Sequence, residues 1–286
     1  MSIISKNNTN HKVVKMNEIE KRKVVEHNDL ISSVAKMDKT PLKIFELAVS
    51  CIDTENPPKD NIIYLSKKEL FRFFKVSDND KHSRFKHAIE VMQKQAYFNI
   101  RQNKELGIEY ESIVPIPTVK WNSYNDDVFI RFNPDIMPYL IDLKNNFTQY
   151  ALSDVMELNS KYSIILYKWL SMNFNQYEHY SHKGGRRKEQ LEEYANPSIK
   201  ISELRQLTDT VNEYKKFPDF RKKTIDIPIE EINRHTHFMV TYEKIKKGRS
   251  IDSIQFHIAK KEQPIELNGE YKEREQDPAY LQGKVK

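Results

Sequence analysis

The chain has 286 residues, 38% hydrophobic and 31% charged, with only six glycines, which fits a helix-rich protein of two domains at about 100–200 residues each. Lys and Arg (47) outnumber Asp and Glu (41), so the formal charge of +6 favours an anionic partner. No apolar run reaches the roughly 18 residues of a membrane span and no charged-then-apolar leader opens the chain, so a soluble, cytoplasmic protein without a membrane partner is expected. Cys51 stands alone, which excludes an internal disulfide and any multi-cysteine zinc site and reads as a small structural residue.

In chain order, residues 1–21 are polar and unpatterned and are expected to form a mobile arm. A first helix is predicted over Asn28–Met37. A second begins with Thr40 as cap and Pro41 at the first helical position, and its stripe is Phe45, Ala48, Val49 and Ile52. Ile62–Leu65 reads as a strand and Ser66 as the cap of a helix reaching Phe74. Ser77–Asp80 is a polar turn, and the helix from Lys81 to about Ala96 places Phe85, Ala88, Ile89, Met92 and Ala96 on one face. Extended stretches follow near 98–101, 110–115 and 128–132, the first two flanking a turn at Asn103–Gly107.

A helical region is predicted from Leu152 or Ser153, with Tyr162, Ile165, Leu166, Trp169 and Phe174 as its apolar stripe. Residues 178–196, with Gly184–Gly185 and Arg186–Arg187–Lys188, read as an exposed loop whose cations either touch nucleic acid or keep the surface solvated. Then come a strand at 199–201, a helix at 202–207, and a longer helix over Asp219–Thr236 with a kink expected at Pro228. Residues 238–245 and 251–258 form a predicted hairpin with Lys246–Lys247–Gly248–Arg249 at its tip. The tail, 261–286, is charged and unpatterned and is expected to be disordered.

One segment occurs twice. At an offset of 140, Ile89/Ile229, Glu90/Glu230 and Phe98/Phe238 are identical, while Met92/Ile232, Gln93/Asn233, Lys94/Arg234 and Ile100/Val240 are conservative pairs. Upstream, LSKKELFRFF (65–74) matches ISELRQL (201–207). Helix, turn, helix and hairpin is the order of a winged helix. The expected fold is therefore α+β, two tandem winged-helix domains with short β-hairpin wings, at residues 22–148 and 149–260.

Helix-turn-helix proteins place the N-terminal end of the second helix in the major groove. In the second module that region carries Lys215, Lys216, Arg221, Lys222 and Lys223, with Thr224 beside them, and the hairpin tip adds Lys246, Lys247 and Arg249. In the first module the matching start is Lys81, His82, Ser83 and Arg84, with Lys86 and His87 one turn on. All are candidate DNA contacts through phosphates or base edges. The alternative for each run is a solvated basic face. His235–Thr236–His237 is the nearest approach to a nuclease metal site, but its middle residue is polar and it falls at a helix end. No glycine–lysine phosphate loop is present, and no catalytic constellation, cofactor site or metal site is found.

The run Leu158–Asn159–Ser160–Lys161–Tyr162–Ser163–Ile164–Ile165–Leu166–Tyr167–Lys168–Trp169–Leu170, after Ala151–Leu152, resembles the opening helix of the C-terminal winged helix in initiator proteins of theta-replicating plasmids, the Rep_3 or RepB-like initiators, of a Gram-positive type. Phe220–Arg221–Lys222–Lys223, Glu231–Ile232–Asn233, Lys247–Gly248–Arg249 and Ile254–Gln255–Phe256 are similar to that family's recognition helix and wing. The resemblance spans about residues 22–260. It implies a non-enzymatic protein that binds repeated origin sites (iterons) in double-stranded DNA, promotes origin opening, recruits host helicase and primase factors, and represses its own promoter as a dimer. A dedicated transcriptional repressor of the same fold is the rival reading, and a rolling-circle nicking endonuclease a more distant one.

Overall fold

A computed structural model of the chain describes residues 21–75, 81–141, 143 and 146–261. Apart from Lys21 and Lys261, the expected arm and tail lie outside the described residues, as does the turn expected at Ser77–Asp80. The first module opens with β1 (Lys23–His27), α1 (Asn28–Ile31), β2 (Val34–Lys36) and α2 (Lys39–Val49). The single helix expected over 28–37 is thus one helical turn and a strand. The Ser33 hydroxyl donates to the Leu30 carbonyl at 2.6 Å, closing the turn, and Val34–Lys36 pair with Asn99–Tyr97. A distant strand partner overrides local helical spacing here. α2 starts one residue before the expected cap, with Asp38 at the N-cap, and is buried along Pro41–Val49 rather than on one stripe.

β3 (Ile62–Ser66) runs into α3 (Lys67–Phe73) through a capping box. The Ser66 hydroxyl accepts from the Lys68 and Glu69 amides, and the Glu69 carboxylate accepts from the Ser66 amide. Such caps stabilise a helix start by about 1 kcal/mol. α4 (Lys81–Gln95) buries Phe85, Ala88, Ile89 and Met92, the predicted face. Then follow β4 (Tyr97–Lys104), β5 (Gly107–Ile113), β6 (Thr118–Lys120), β7 (Asp127–Arg131) and β8 (Phe147–Ala151), the last pairing with β1.

The second module contains α5 (Leu152–Glu157), α6 (Lys161–Lys183), α7 (Lys188–Ala195), β9 (Ser198–Lys200) and α8 (Ile201–Leu207). It continues with α9 (Phe217–Arg221), one π-helical turn (Lys222–Asp226), α10 (Ile227–His235), β10 (Phe238–Lys247) and β11 (Ser250–Lys260). The loop expected over 178–196 is instead the end of α6, a short link and α7. Gly184, at φ 73°, stops α6 while its amide still reaches the Tyr180 carbonyl at 2.9 Å. α7 folds back so that Tyr180 and Tyr194 stack 6.0 Å apart, an apolar seam inside a stretch that reads as polar.

Sheet order corrects the register of the repeat. In the second module the order is β10–β11–β9, so the strand before the helix-turn-helix pairs with the last strand of the hairpin. The first module has the same relation in β6–β7–β3. Its wing is therefore β6–β7. The β4–β5 hairpin, which the offset of 140 aligns with the second wing, is an insertion that pairs with β2 in a separate sheet, order β2–β4–β5.

The buried apolar residues of both modules form one contiguous core. At their boundary, α6 inserts Lys168 among groups of the first module. Its ammonium lies 2.8 Å from Glu26 on β1 and 2.6 Å from Glu46 on α2, and the Tyr150 hydroxyl of β8 donates to Glu46 at 2.5 Å. Glu26, Glu46 and Lys168 are at most 4% exposed. Burial pulls the lysine pKa down, but the two carboxylates more than offset it and the net shift is upward.

Candidate nucleic-acid interface

The second helix-turn-helix is built around Arg205 of α8. Its guanidinium donates to the carbonyls of Thr210 (3.1 Å), Glu213 (2.9 Å) and Tyr214 (2.9 Å) and lies 4.1 Å from the centre of the Phe220 ring. One side chain thus orders the turn between α8 and α9, including Tyr214 at φ 46°. Sequence reading passed over Arg205, since a lone arginine on a short helix carries no motif.

α9, the π turn and α10 make one helical rod over 217–235. The π turn has a cause in Pro228, which lacks an amide hydrogen and whose ring would meet the Thr224 carbonyl in a regular helix. The Ile227 amide instead reaches back five residues to the Lys222 carbonyl. The irregularity expected at Pro228 is thus a wide turn centred a few residues earlier. It displays Lys222 and Lys223 to solvent. Thr224 is not a surface contact: it is fully buried beside Phe220 and Ile225, and its hydroxyl donates to the Phe220 carbonyl at 2.9 Å.

Lys215 and Lys216 are exposed at the mouth of the rod, Lys216 at the N-cap of α9. Their charges add to the positive end of the helix dipole, and Asp219 in the first turn offsets this only in part. Arg221 is oriented rather than loose. Its Nε donates to Asp226 at 3.1 Å, and the other oxygen of Asp226 accepts from the Tyr242 hydroxyl of β10 at 2.6 Å. Burial, then this carboxylate, pushes the Tyr242 pKa up to about 12, so the phenol keeps its proton and ties the rod to the root of the wing. The wing tip is a two-residue turn, Gly248–Arg249, in which Gly248 takes φ 64°. Lys246, Lys247 and Arg249 are exposed on it.

In the first module Lys81 opens α4, and His82, Ser83, Arg84, Lys86 and His87 follow on its exposed side. The His82 ring sits edge-on to Phe71 of α3, centroids 5.1 Å apart, and Lys86 pairs loosely with Glu90 at 4.0 Å. This helix start is more mixed in charge than its counterpart. Its wing, which sequence reading did not locate, has Trp121–Asp126 at the tip, with Tyr124 85% exposed. The tip is tied to α3: the Lys68 amide donates to Asp126 and the Lys67 ammonium to the Asn122 carbonyl at 2.9 Å. Trp121 packs edge-on against Phe85 of α4, 5.5 Å between centroids, so wing and helix form one unit.

His235 and His237 do not converge on a shared site. His237 contacts Asp154 at 2.9 Å, and no group that could hold a metal occurs among the described residues. Burial pushes the Cys51 thiol up to about 11, in keeping with a structural role. Among the described residues no helix is long and apolar enough to cross a membrane.

The same arrangement occurs in known proteins. The family model described as initiator replication protein, WH1, matches residues 23–171, and that described as initiator Rep protein, WH2, matches 200–258. The PI protein of Escherichia coli is 21% identical over 268 residues, covering 86% of this chain and 85% of the relative. A replication initiation protein of Escherichia coli is 24% identical over 143 residues, 49% of this chain and 40% of the relative. Among solved structures, Pi initiator protein in complex with iteron DNA superposes with a TM-score of 0.65 at 20% identity, covering 85% of this chain and 99% of that one. The shared fold is two winged helices.

Proposed function

We propose, since this chain belongs to the initiator replication protein family, that it initiates plasmid replication by binding directly repeated duplex sites, iterons, through both winged helices. The observation that carries this reading is the repeated strand order, β6–β7–β3 and β10–β11–β9, beside two helix-turn-helix units whose second helices start on exposed cations. The Pi initiator structure, of the same fold, holds iteron DNA.

The first DNA-binding unit is taken as residues 22–148 and the second as 149–260. Lys215, Lys216, Arg221, Lys222, Lys223 and the wing cations Lys246, Lys247 and Arg249 supply most of the affinity. Lys81, His82, Ser83, Arg84, Lys86 and His87 supply the rest. Joining the modules makes the second contact intramolecular, so two modest sites act as one tight site. Origin opening then draws on binding energy spent deforming A·T-rich steps rather than on nucleotide hydrolysis, and the protein is not an enzyme. Host helicase and primase factors, repression of its own promoter as a dimer, and a cytoplasmic setting complete the proposal.

A mobility-shift assay on origin DNA with direct repeats tests it. Lys222→Ala and Lys223→Ala each weaken the shift without unfolding the protein; wild-type binding by both variants would remove the recognition helix from the interface. Nicking of supercoiled origin DNA with a divalent metal would replace the reading with an endonuclease.

A further inference from the structure

Two DNA-reading units joined by one chain recognise a site only at the spacing and angle in which their joint holds them. The buried Lys168 cluster makes part of that joint, and further ties end on the helix-turn-helix units themselves. One set runs through the elbow joining α5 to α6, residues 157–160. Lys75, just past the end of α3 in the first unit, holds Glu157 of the elbow at 2.7 Å. Two residues on, the Asn159 amide donates to Glu231 of α10, in the second unit's rod, at 3.0 Å. Asn159 Nδ2 donates to the Glu157 carbonyl at 3.0 Å, so the elbow closes on itself between the two units. Lys43 of α2, 5% exposed, donates to the Met156 carbonyl at 2.6 Å and satisfies one of the carbonyls that the end of α5 leaves open.

A separate tie gives the β2–β4–β5 insertion a use. β4 follows α4, the first unit's second helix, and pairs with β2. Lys36, the last residue of β2, forms an ion pair with Asp209 in the turn between α8 and α9. Asp209 takes φ 53°, and Arg205 orders the same turn through the Thr210 carbonyl. The insertion thus links the end of one recognition helix to the turn that aims the other. Partly exposed ion pairs such as Lys75–Glu157 and Lys36–Asp209 stabilise a fold little. Their effect lies in restricting how the two units swivel. None of these residues is among the DNA contacts proposed above.

On the reading that both units bind one duplex, on which this inference rests, each base pair between their half-sites adds about 3.4 Å and about 35° of rotation. A loose joint follows such a change by swivelling; a joint tied at both helix-turn-helix units does not. We propose that Lys75, Glu157, Glu231, Lys36 and Asp209 are positioning residues that set the half-site spacing this protein accepts. Selectivity then has two sources: the contact residues read the grooves, and the ties read the distance and angle between them.

Competition mobility shifts with the full chain test this on a repeat-bearing duplex and on duplexes with one base pair inserted or deleted at the centre of its footprint. The wild type loses about tenfold or more on either altered duplex, part of the roughly 10²–10⁴ gain that linkage supplies. Glu157→Lys/Asp209→Lys breaks both ion pairs without removing a cation. It binds the native spacing within about fivefold of wild type and loses about threefold or less on the altered duplexes. Adding Lys75→Glu and Lys36→Asp to that variant swaps both pairs and restores the wild-type ratio. Glu231→Ala, which releases the Asn159 amide, also narrows the ratio, whereas Glu231→Gln keeps it. An unchanged ratio in the broken variants overturns the proposal, as does equal weakening on every duplex. Weak binding by the swapped variant on all spacings would make Lys75 or Lys36 a phosphate contact and overturn it too. Wild-type binding without spacing discrimination refutes this inference alone; no binding to any repeat-bearing duplex refutes the initiator reading and this inference with it.

Discussion

Lys168→Met isolates the charge cluster that joins the modules. Lys168 reaches from α6 to Glu26 and Glu46, with Tyr150 bonded to Glu46, and all are buried. Methionine fills a similar volume and removes the cation, leaving two carboxylates out of water. Breaking a buried pair in this way costs about 3–5 kcal/mol. Burial, then Glu46, already holds the Glu26 pKa up at about 7, against the pull of Lys168. Without the lysine Glu26 keeps a proton at neutral pH, and only one uncompensated charge remains, on Glu46. That places the loss near the lower bound, about 3 kcal/mol, or a drop of about 6–12 °C in Tm for a body of this size. Calorimetry or urea unfolding at pH 7.5 measures it. Adding Glu26→Gln and Glu46→Gln to Lys168→Met should recover most of the loss, because neutral amides can share the Tyr150 hydroxyl. A Lys168→Met variant within about 1 kcal/mol of wild type would mean the cluster is hydrated or uncharged, and the reasoning would fail.

Two further outcomes follow from the same residues and from the recognition rod. Eight cations are assigned to the second module's contacts and the first module adds to them, so log K against log salt should fall with a slope of about −7 or steeper, a loss of roughly 10⁴-fold or more between 50 and 200 mM. Lys222→Ala/Lys223→Ala should make that slope shallower by about 2, and an unchanged slope in a salt titration would take both lysines off the phosphates. Folded Glu26 holds a proton up to about pH 7, whereas the unfolded chain releases it near its ordinary value of 4.5. Folding therefore loses stability from this group as pH rises through that window, by up to about 3 kcal/mol. Glu26→Gln does not titrate, so its stability relative to wild type should climb between pH 5 and 7.5 in urea unfolding, and a flat difference would show that Glu26 ionises freely.

What the sequence disclosed was local. The Ser66–Glu69 capping box, the Phe85–Met92 stripe of α4, the basic turn at Gly248–Arg249 and the long second-module helix each depend on residues within a few positions of one another. Thr224 was legible too and was misread. It lies four residues after Phe220, so it shares the buried side of the rod, while the run of neighbouring cations suggested the exposed side. The helical spacing over 28–37 gave no warning of β2, because the partner that recruits Val34–Lys36 is Tyr97–Asn99.

The repeat shows where such reading stops. Phe98 and Phe238 occupy matching positions after matching helices, and both are buried in the core at a strand start, Phe98 second in β4 and Phe238 first in β10. Phe238 leads into the wing because β11 returns to pair with β9, the strand before α8. Phe98 leads away from it. Its strand is taken by β2, a partner the second module has no counterpart for, and the first wing is deferred to β6–β7. Helix, cap and burial pattern travel with a duplicated segment because they are written into it. Strand pairing does not, since it depends on which edge is vacant when the chain returns. That separation frees the first module's wing sheet to differ chemically from the second while keeping its topology.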